Sequence, residues 1–442
     1  MSEARPVTET TSAGAREKRS ARSLLASLEI DSRLLGMIAA TAVVWVVFNF
    51  ASDGLFLSPR NLWNLSVQSA AVGIMTTGMV LIIVSRNIDL SVGSVLAVTA
   101  LVMALLQTEW IPNTLGLGLN QPYIWIVALV VGITLGALIG GLHGFLIAYV
   151  GIPSFVVTLG GMLIWRGASF GLVSGRTIGP LDATFQLIGG GPEGSLGATL
   201  SWLVAGIGIV AIAYGLIANR RRRRKYGFPV RPMWADVTLG VAASLVVAGA
   251  VWVANAYPWP PVLASEYAQA HGIPEPPGGL KIATGIAIPV LIAIGLAVAM
   301  TVLANRRRFG RYVFAIGGNP EAAELAGINT RRTIMKTFVL MGMLAAVAAA
   351  VTSARLNAAT NGLGTGAELQ VIAAAVIGGT SFAGGIGTIA GGVLGAVVIQ
   401  SLQSGMVLIS VPTALQDIVI GIVLVGAVGF DTFVNRRKPG VR

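Results

Sequence analysis

Twelve runs of mostly apolar residues, each close to the length of a bilayer crossing, dominate the chain: 34–51, 66–85, 91–106, 123–149, 155–172, 200–218, 236–256, 282–304, 334–354, 368–382, 389–409 and 413–431. The hydrocarbon core of a membrane is about 30 Å thick and an α-helix rises about 1.5 Å per residue, so roughly 20 apolar residues cross it. Backbone in lipid must satisfy its own hydrogen bonds, which a helix does within one segment. The runs therefore predict an all-α, polytopic transmembrane helical bundle of about twelve spans. Only 11% of the 442 residues are charged, against about a quarter in a soluble domain, which excludes a water-soluble fold.

Charge placement orients the bundle. With the amino terminus inside and spans alternating, 25 of the 30 Lys and Arg fall on the inner side, in the stretches 220–231, 306–311, 331–336 and 436–442, in the amino-terminal tail and at Arg86. Arg60, Arg176, Lys281 and Arg355 fall outside, and Arg166 lies within the layer. Cytoplasmic loops carry such an excess, so the net charge of +12 reports topology rather than a nucleic-acid partner. Residues 1–33 read as a cytoplasmic polar tail, 34–432 as the membrane domain and 433–442 as a cytoplasmic basic tail. The segment 255–279 carries six prolines and reads as an irregular external loop.

Catalytic machinery is missing from the sequence. There is no cysteine, the two histidines (His143, His271) are far apart, and no G-x-x-x-x-G-K-[ST] phosphate loop occurs. No nucleophile and base stand in a recognisable arrangement, so a transport subunit without a cofactor or metal of its own is expected rather than an enzyme. Glycines at 132, 136, 140 and 144, and at 391 and 395, recur every fourth residue and predict close helix packing. Two stretches interrupt the apolar pattern, RNIDLSVGS (86–94) and GGTSFAGGIGT (378–388). Irregular backbone at membrane depth is tolerated where protein or a wet cavity satisfies it, so both are candidates to border a pathway. Asp89 reads either as a helix cap or as a pathway carboxylate.

The segment RRRFGRYVFAIGGNPEAAELAGINTRRTIMK (306–336) has a construction of its own. Gly317, Gly318 and Asn319 predict a turn, Pro320 suits a first helical position, and Glu321 to Leu325 form a short helix that Gly327 ends. Ala322 and Ala323 give that helix a slim face able to enter a groove.

Glu321-Ala322-Ala323-x-x-x-Gly327, preceded by Ala315-Ile316-Gly317-Gly318-Asn319, resembles the coupling motif of ATP-binding-cassette importer permeases, in the ribose, galactose and xylose branch. NIDLSVGS (87–94), GIPSFVVTLGGMLIWRG (151–167) and VIGGTSFAGGIGT (376–388) are similar to the same branch. An added span pair with a basic linker, 200–279, together with SDGLFLSPRNL (52–62), looks most like xylose permeases. The distal Leu-Pro of the broad coupling consensus is absent, as is common in this branch.

The resemblance implies a multi-pass permease of the bacterial inner membrane, with both termini cytoplasmic, carrying xylose or a related pentose. It further implies a second permease copy, an extracytoplasmic sugar-binding protein, and ATPase subunits that bind ATP and Mg. ATPase coupling is expected at Gly317, Gly318, Asn319, Glu321, Ala322, Ala323 and Gly327 within the loop 305–333. The translocation path is expected at Asn87, Asp89, Ser91, Phe155 and Thr158, where amide, hydroxyl and aromatic groups suit a neutral sugar. A proton- or ion-coupled secondary carrier is the competing class. Buried carboxylates and histidines that could relay protons are scarce, and only Arg308-Phe309-Gly310-Arg311 faintly resembles such carriers' loop motif. A passive channel would show a selectivity ring, and none is visible.

Overall fold

A computed structural model describes residue 29, residues 32–116 and residues 120–436, with side chains placed except at 32–33 and 430–436. Most of the polar tail 1–33 and of the basic tail 433–442 lies outside the described residues. Fifteen helices are labelled here in chain order. They are α1 Ser32–Ala51, α2 Pro59–Val84, α3 Val92–Leu115, α4 Ile124–Val150, α5 Ser154–Val173, α6 Gly197–Lys225, α7 Met233–Ala256 and α8 Pro261–Ala270. The remainder are α9 Ile288–Arg306, α10 Arg308–Gly318, α11 Pro320–Leu325, α12 Thr330–Leu356, α13 Ala367–Ile377, α14 Ile389–Leu408 and α15 Thr413–Arg436.

Each of the twelve apolar runs coincides with one of these helices. Among the described residues, ten helices are long and apolar enough to cross a membrane, and two shorter apolar helices, Ala367–Ile377 and Thr413–Gly429, accompany them. The 11 residues of α13 rise about 16 Å, roughly half the hydrocarbon core. The run 368–382 reads as longer in the sequence, but the chain leaves helical geometry at Gly378 and Gly379, the latter with φ +85°. A second difference lies between the prolines of 255–279. Pro261 opens the ten-residue helix α8, because proline lacks only an amide that a first helical turn leaves unpaired.

The centre of the bundle is α2, α3, α12, α13 and α14, whose apolar side chains form one buried core. The glycine stripe of α4 meets α12 there. A Cβ on Gly136 would strike the Gly342 carbonyl and one on Gly140 the Phe338 carbonyl, so the two backbones touch. Gly391 and Gly395 of α14 lie in the same way on Gly378 and the Ala374 carbonyl. In lipid, helices gain no hydrophobic drive from meeting, and such close approach maximises dispersion contact instead.

The added pair α6–α7 lies at the edge, with α6 packing chiefly on α7 and α7 reaching α2. Arg220 and Asp236 bridge α6 to α7 at 2.6 Å. Nearby, Arg223 and Arg231 both bind Glu29, and their hydrogen bonds hold its carboxyl below the usual carboxylate range.

Gly140→Leu puts a side chain into the α12 backbone, an overpacking that costs of order 1–3 kcal/mol or more. We expect it to remove the monodisperse detergent-solubilised species in size-exclusion chromatography. Gly160→Leu on α5, whose Cβ meets nothing within 4 Å, should retain it.

Candidate functional site

The segment singled out in the sequence folds as two short helices at one end of the bundle. Helix α10 buries Gly310, Val313, Ile316 and Gly317 on one face and exposes Arg311 and Tyr312 on the other. Gly317 and Gly318 complete α10 rather than forming a turn, and Asn319 alone, extended at φ −151°, separates it from α11. Asn319 Oδ1 accepts the Ala322 amide at 3.0 Å, capping α11, and Pro320 takes its first position. Glu321, in the first turn, complements the positive end of the helix dipole.

Helix α11 ends in a Schellman arrangement. Gly327 has φ +80° and donates its amide to the Glu324 carbonyl at 2.9 Å, while Ile328 donates to Ala323 at 3.0 Å. Asn329 then caps α12 by accepting the Arg332 amide at 2.9 Å. Of the short helix only Ala323 is buried; Glu321, Ala322 and Glu324 are exposed, and Leu325 is 90% exposed.

The loop is fastened to the bundle through a residue the sequence reading passed over. Arg86, at the end of α2, donates from Nε to the Gly317 carbonyl at 2.7 Å and from Nη2 to the Gly318 carbonyl at 2.8 Å. A cation on the last carbonyls of α10 satisfies groups that have no partner inside the helix. The Gly385 amide donates to the Val84 carbonyl at 2.9 Å, and a Cβ on Gly317 would collide with both Val84 and Gly385. Both polar interruptions of the apolar pattern, 86–94 and 378–388, thus meet at the base of α10.

The five residues expected along the path divide. Asn87 Nδ2 donates to the Ser85 backbone carbonyl at 2.9 Å. Asp89, 4% exposed, accepts the Ser91 amide at 2.9 Å and the Ser91 hydroxyl at 2.6 Å, which closes a local turn before α3. Thr158 donates to the Ser154 carbonyl at 2.8 Å and also approaches the Ile88 carbonyl at 3.3 Å. Phe155 is 51% exposed on the outer face of α5.

Ser91 Oγ also lies 3.2 Å from His143 Nδ1, and Trp165 Nε1 donates to His143 Nε2 at 3.0 Å. Because Trp165 can only donate, His143 Nε2 accepts. The proton then sits on Nδ1 and points to Ser91, which in turn donates to Asp89. A Cβ on Gly161 would strike the His143 ring, so that glycine makes room for it. Asp89, Ser91, His143 and Trp165 tie the α2–α3 connection to α4 and α5. The usable sequence signals for the missed members were a lone histidine inside a glycine stripe and an arginine in a break between spans.

Gly327→Val places a β-branched residue in a conformation it resists, at a cost of about 1 kcal/mol or more. Hydrogen exchange of the 321–328 amides should quicken severalfold, while Gly327→Asn, which tolerates positive φ, should stay near the parent rate.

Comparison with known proteins is consistent along nearly the full chain. Residues 61–428 match the family described as branched-chain amino acid transport system / permease component. The xylose transport system permease protein XylH of Escherichia coli (strain K12) is 38% identical over 409 residues, 92% of this chain and 94% of that protein. XylH of Haemophilus influenzae is 36% identical over 402 residues, 91% and 96% of the two chains. The ribose import permease protein RbsC of Escherichia coli (strain K12) is 29% identical over 395 residues, 89% and 92%. No solved structure matches. A helical bundle that crosses the membrane many times, with a capped helix exposed at one end, agrees with what these matches establish: the chain belongs to the branched-chain amino acid transport system / permease component family.

Proposed function

We propose that the chain is the membrane-spanning subunit of an ATP-driven importer for a monosaccharide, with xylose or a related pentose as cargo. The observation that carries the reading is the 38% identity to XylH across more than nine-tenths of both chains. The geometry supports the ATP-driven class through α11, whose exposed Leu325, Glu321 and Ala322 offer a rigid knob to a partner groove. The chain carries no phosphate loop, so ATP and Mg belong to partner ATPase subunits. A second permease copy and an extracytoplasmic sugar-binding protein complete the assembly in this reading.

The mechanism follows from the fastening of α11. ATP binding draws the two ATPase subunits together, α11 moves with its groove, and α10 moves with α11 because only Asn319 separates them. The motion enters the bundle where Gly317 and Gly318 are held by Arg86. Access to the pathway then alternates between the two sides. With the basic stretches inside, α11 is cytoplasmic and α8 external.

Reconstitution with the cognate ATPase and binding protein tests the reading: xylose should enter proteoliposomes only with ATP and Mg. Uptake driven by a proton or sodium gradient without ATP would overturn it in favour of a secondary carrier. Leu325→Asp and Glu321→Arg should reach the membrane at normal levels, lose ATPase pull-down and lose uptake. For orientation, Gln269→Cys on the exposed face of α8 should react in intact cells with an impermeant thiol reagent, the chain having no cysteine of its own. Reaction only after permeabilisation would invert the topology.

A further inference from the structure

The five path residues expected from the sequence leave a different feature of the bundle unexplained. A cavity of about 420 Å³ opens between α2, α13 and α14, toward the end of the bundle opposite α11. Its place along the axis follows from α2 and α14. The far end of α2, Val84, binds Gly385 beside α10, whereas Asn61, Asn64 and Gln68, in its first three turns, line the cavity. Helix α14 begins next to the 378–388 loop, and its later residues Gln400 and Gln403 line the cavity.

Six amide side chains converge there: Asn61, Asn64, Gln68, Gln370, Gln400 and Gln403. On each long helix they fall at helical spacing, 61, 64 and 68 on α2 and 400 and 403 on α14, so each helix presents its amides as one stripe. Some hold each other in place. Gln400 Nε2 donates to Gln370 Oε1 at 2.9 Å and to Gln403 Oε1 at 3.2 Å, and Ser404 donates to Asn61 Oδ1 at 3.0 Å. The Asn64 and Gln68 side chains make no hydrogen bond with any described residue, and both line the cavity. Unpaired amides on transmembrane helices are costly, and packing alone gives no reason to keep them.

The half-helix α13 starts at this cavity, which is lined also by Gly364, Thr365 and Ala367. Its approach is irregular backbone within the bundle, braced by Arg166, which donates to the Asn361 carbonyl at 2.8 Å and the Leu363 carbonyl at 2.9 Å. Such broken helices are tolerated where they line a cavity.

We propose that this cavity is a transient binding site for a neutral polyhydroxylated solute on its way through the permease. The inference rests on the functional reading above and locates the cargo within it. Each amide presents two donors on nitrogen and two acceptor sites on oxygen, which pairs with hydroxyls that both give and accept. A wall of Val72, Met75 and Leu96 offers apolar surface to the C–H face of a sugar ring. The volume falls within the range of about 300–1,000 Å³ typical of small-molecule sites. An amino acid, the cargo in the family's description, fits less well: Arg355 could meet its carboxylate, but no Asp or Glu lines the cavity to pair its ammonium.

The experiment uses the cysteine-free chain in complex with its ATPase, as Gln68→Cys and, independently, Asn64→Cys. An impermeant thiol reagent is applied from the α8 side, without binding protein, in buffer, in concentrated xylose or in equally concentrated leucine. Xylose should slow modification severalfold in both variants and leucine should not, and full modification should abolish ATP-driven xylose uptake once binding protein is added. Modification at equal rates in all three solutions, or protection by leucine alone, overturns the cavity's assignment while leaving the functional reading in place. Absence of ATP-driven xylose uptake in the unmodified parent overturns the functional reading and, with it, this assignment.

Discussion

Backbone-to-backbone contact between helices is the interaction on which the rest of this bundle depends. In water a helix is driven to its neighbour by its apolar face, but in lipid that drive is absent and contact must be won from packing. The chain meets the condition with glycine placed where a Cβ would collide with a carbonyl, as at Gly136 against Gly342, Gly140 against Phe338 and Gly395 against Ala374. These seams fix α4 on α12 and α14 on α13. With the helices locked at that distance, a polar cavity can persist between α2, α13 and α14 without collapse.

The second constraint is that every break in a helix must be satisfied inside protein. Two arginines solve it in the same way. Arg86 caps the end of α10 through the Gly317 and Gly318 carbonyls, and Arg166 caps the irregular approach to α13 through Asn361 and Leu363. A guanidinium suits this task because it carries five N–H donors: Arg86 spends Nε and Nη2 on two carbonyls, and Arg166 shares Nη1 between two. Both arginines lie where the apolar pattern is interrupted or where a span is unusually polar, so each marks broken backbone rather than loop charge.

Hydrophobic patterning made the helices legible, since length and apolarity are what a bilayer selects, and all twelve runs correspond to helices. The lengths were less so: the run 368–382 overlaps the polar break at 378–388, and α13 ends at Gly378, where that break begins. Within 306–336 the short helix α11 was legible because Pro320 and Gly327 act locally and take the positions their chemistry prescribes, whereas α10, which Gly317 and Gly318 complete, was read only as a turn. The cavity was not legible, because its amides come from α2, α13 and α14, some 300 residues apart in sequence, and each alone looks like a stray polar residue in a span. The spacing of Asn61, Asn64 and Gln68 was the available signal. Conversely, Asp89 and Ser91 stood out by type, yet their partners His143 and Trp165 are supplied by tertiary contact.

Helix α2 joins the cavity to the α10–α11 end of the bundle. Its 26 residues rise about 39 Å, from Asn61 at the cavity to Val84 against Gly385 and Gly317. Its middle is wholly buried, from Val72 to Val84, so it has no room to bend independently of α12 and α14. Packed interiors shift between discrete arrangements rather than deforming smoothly, and a helix clamped along its length moves as one body. Within the proposed mechanism, then, a displacement of α11 that reaches Val84 through Gly317 is felt at Asn61, Asn64 and Gln68. In that mechanism the capped helix needs no contact with the cargo to govern it; it needs only the rigid α2 and the Arg86 fastening that makes α10 part of the same body.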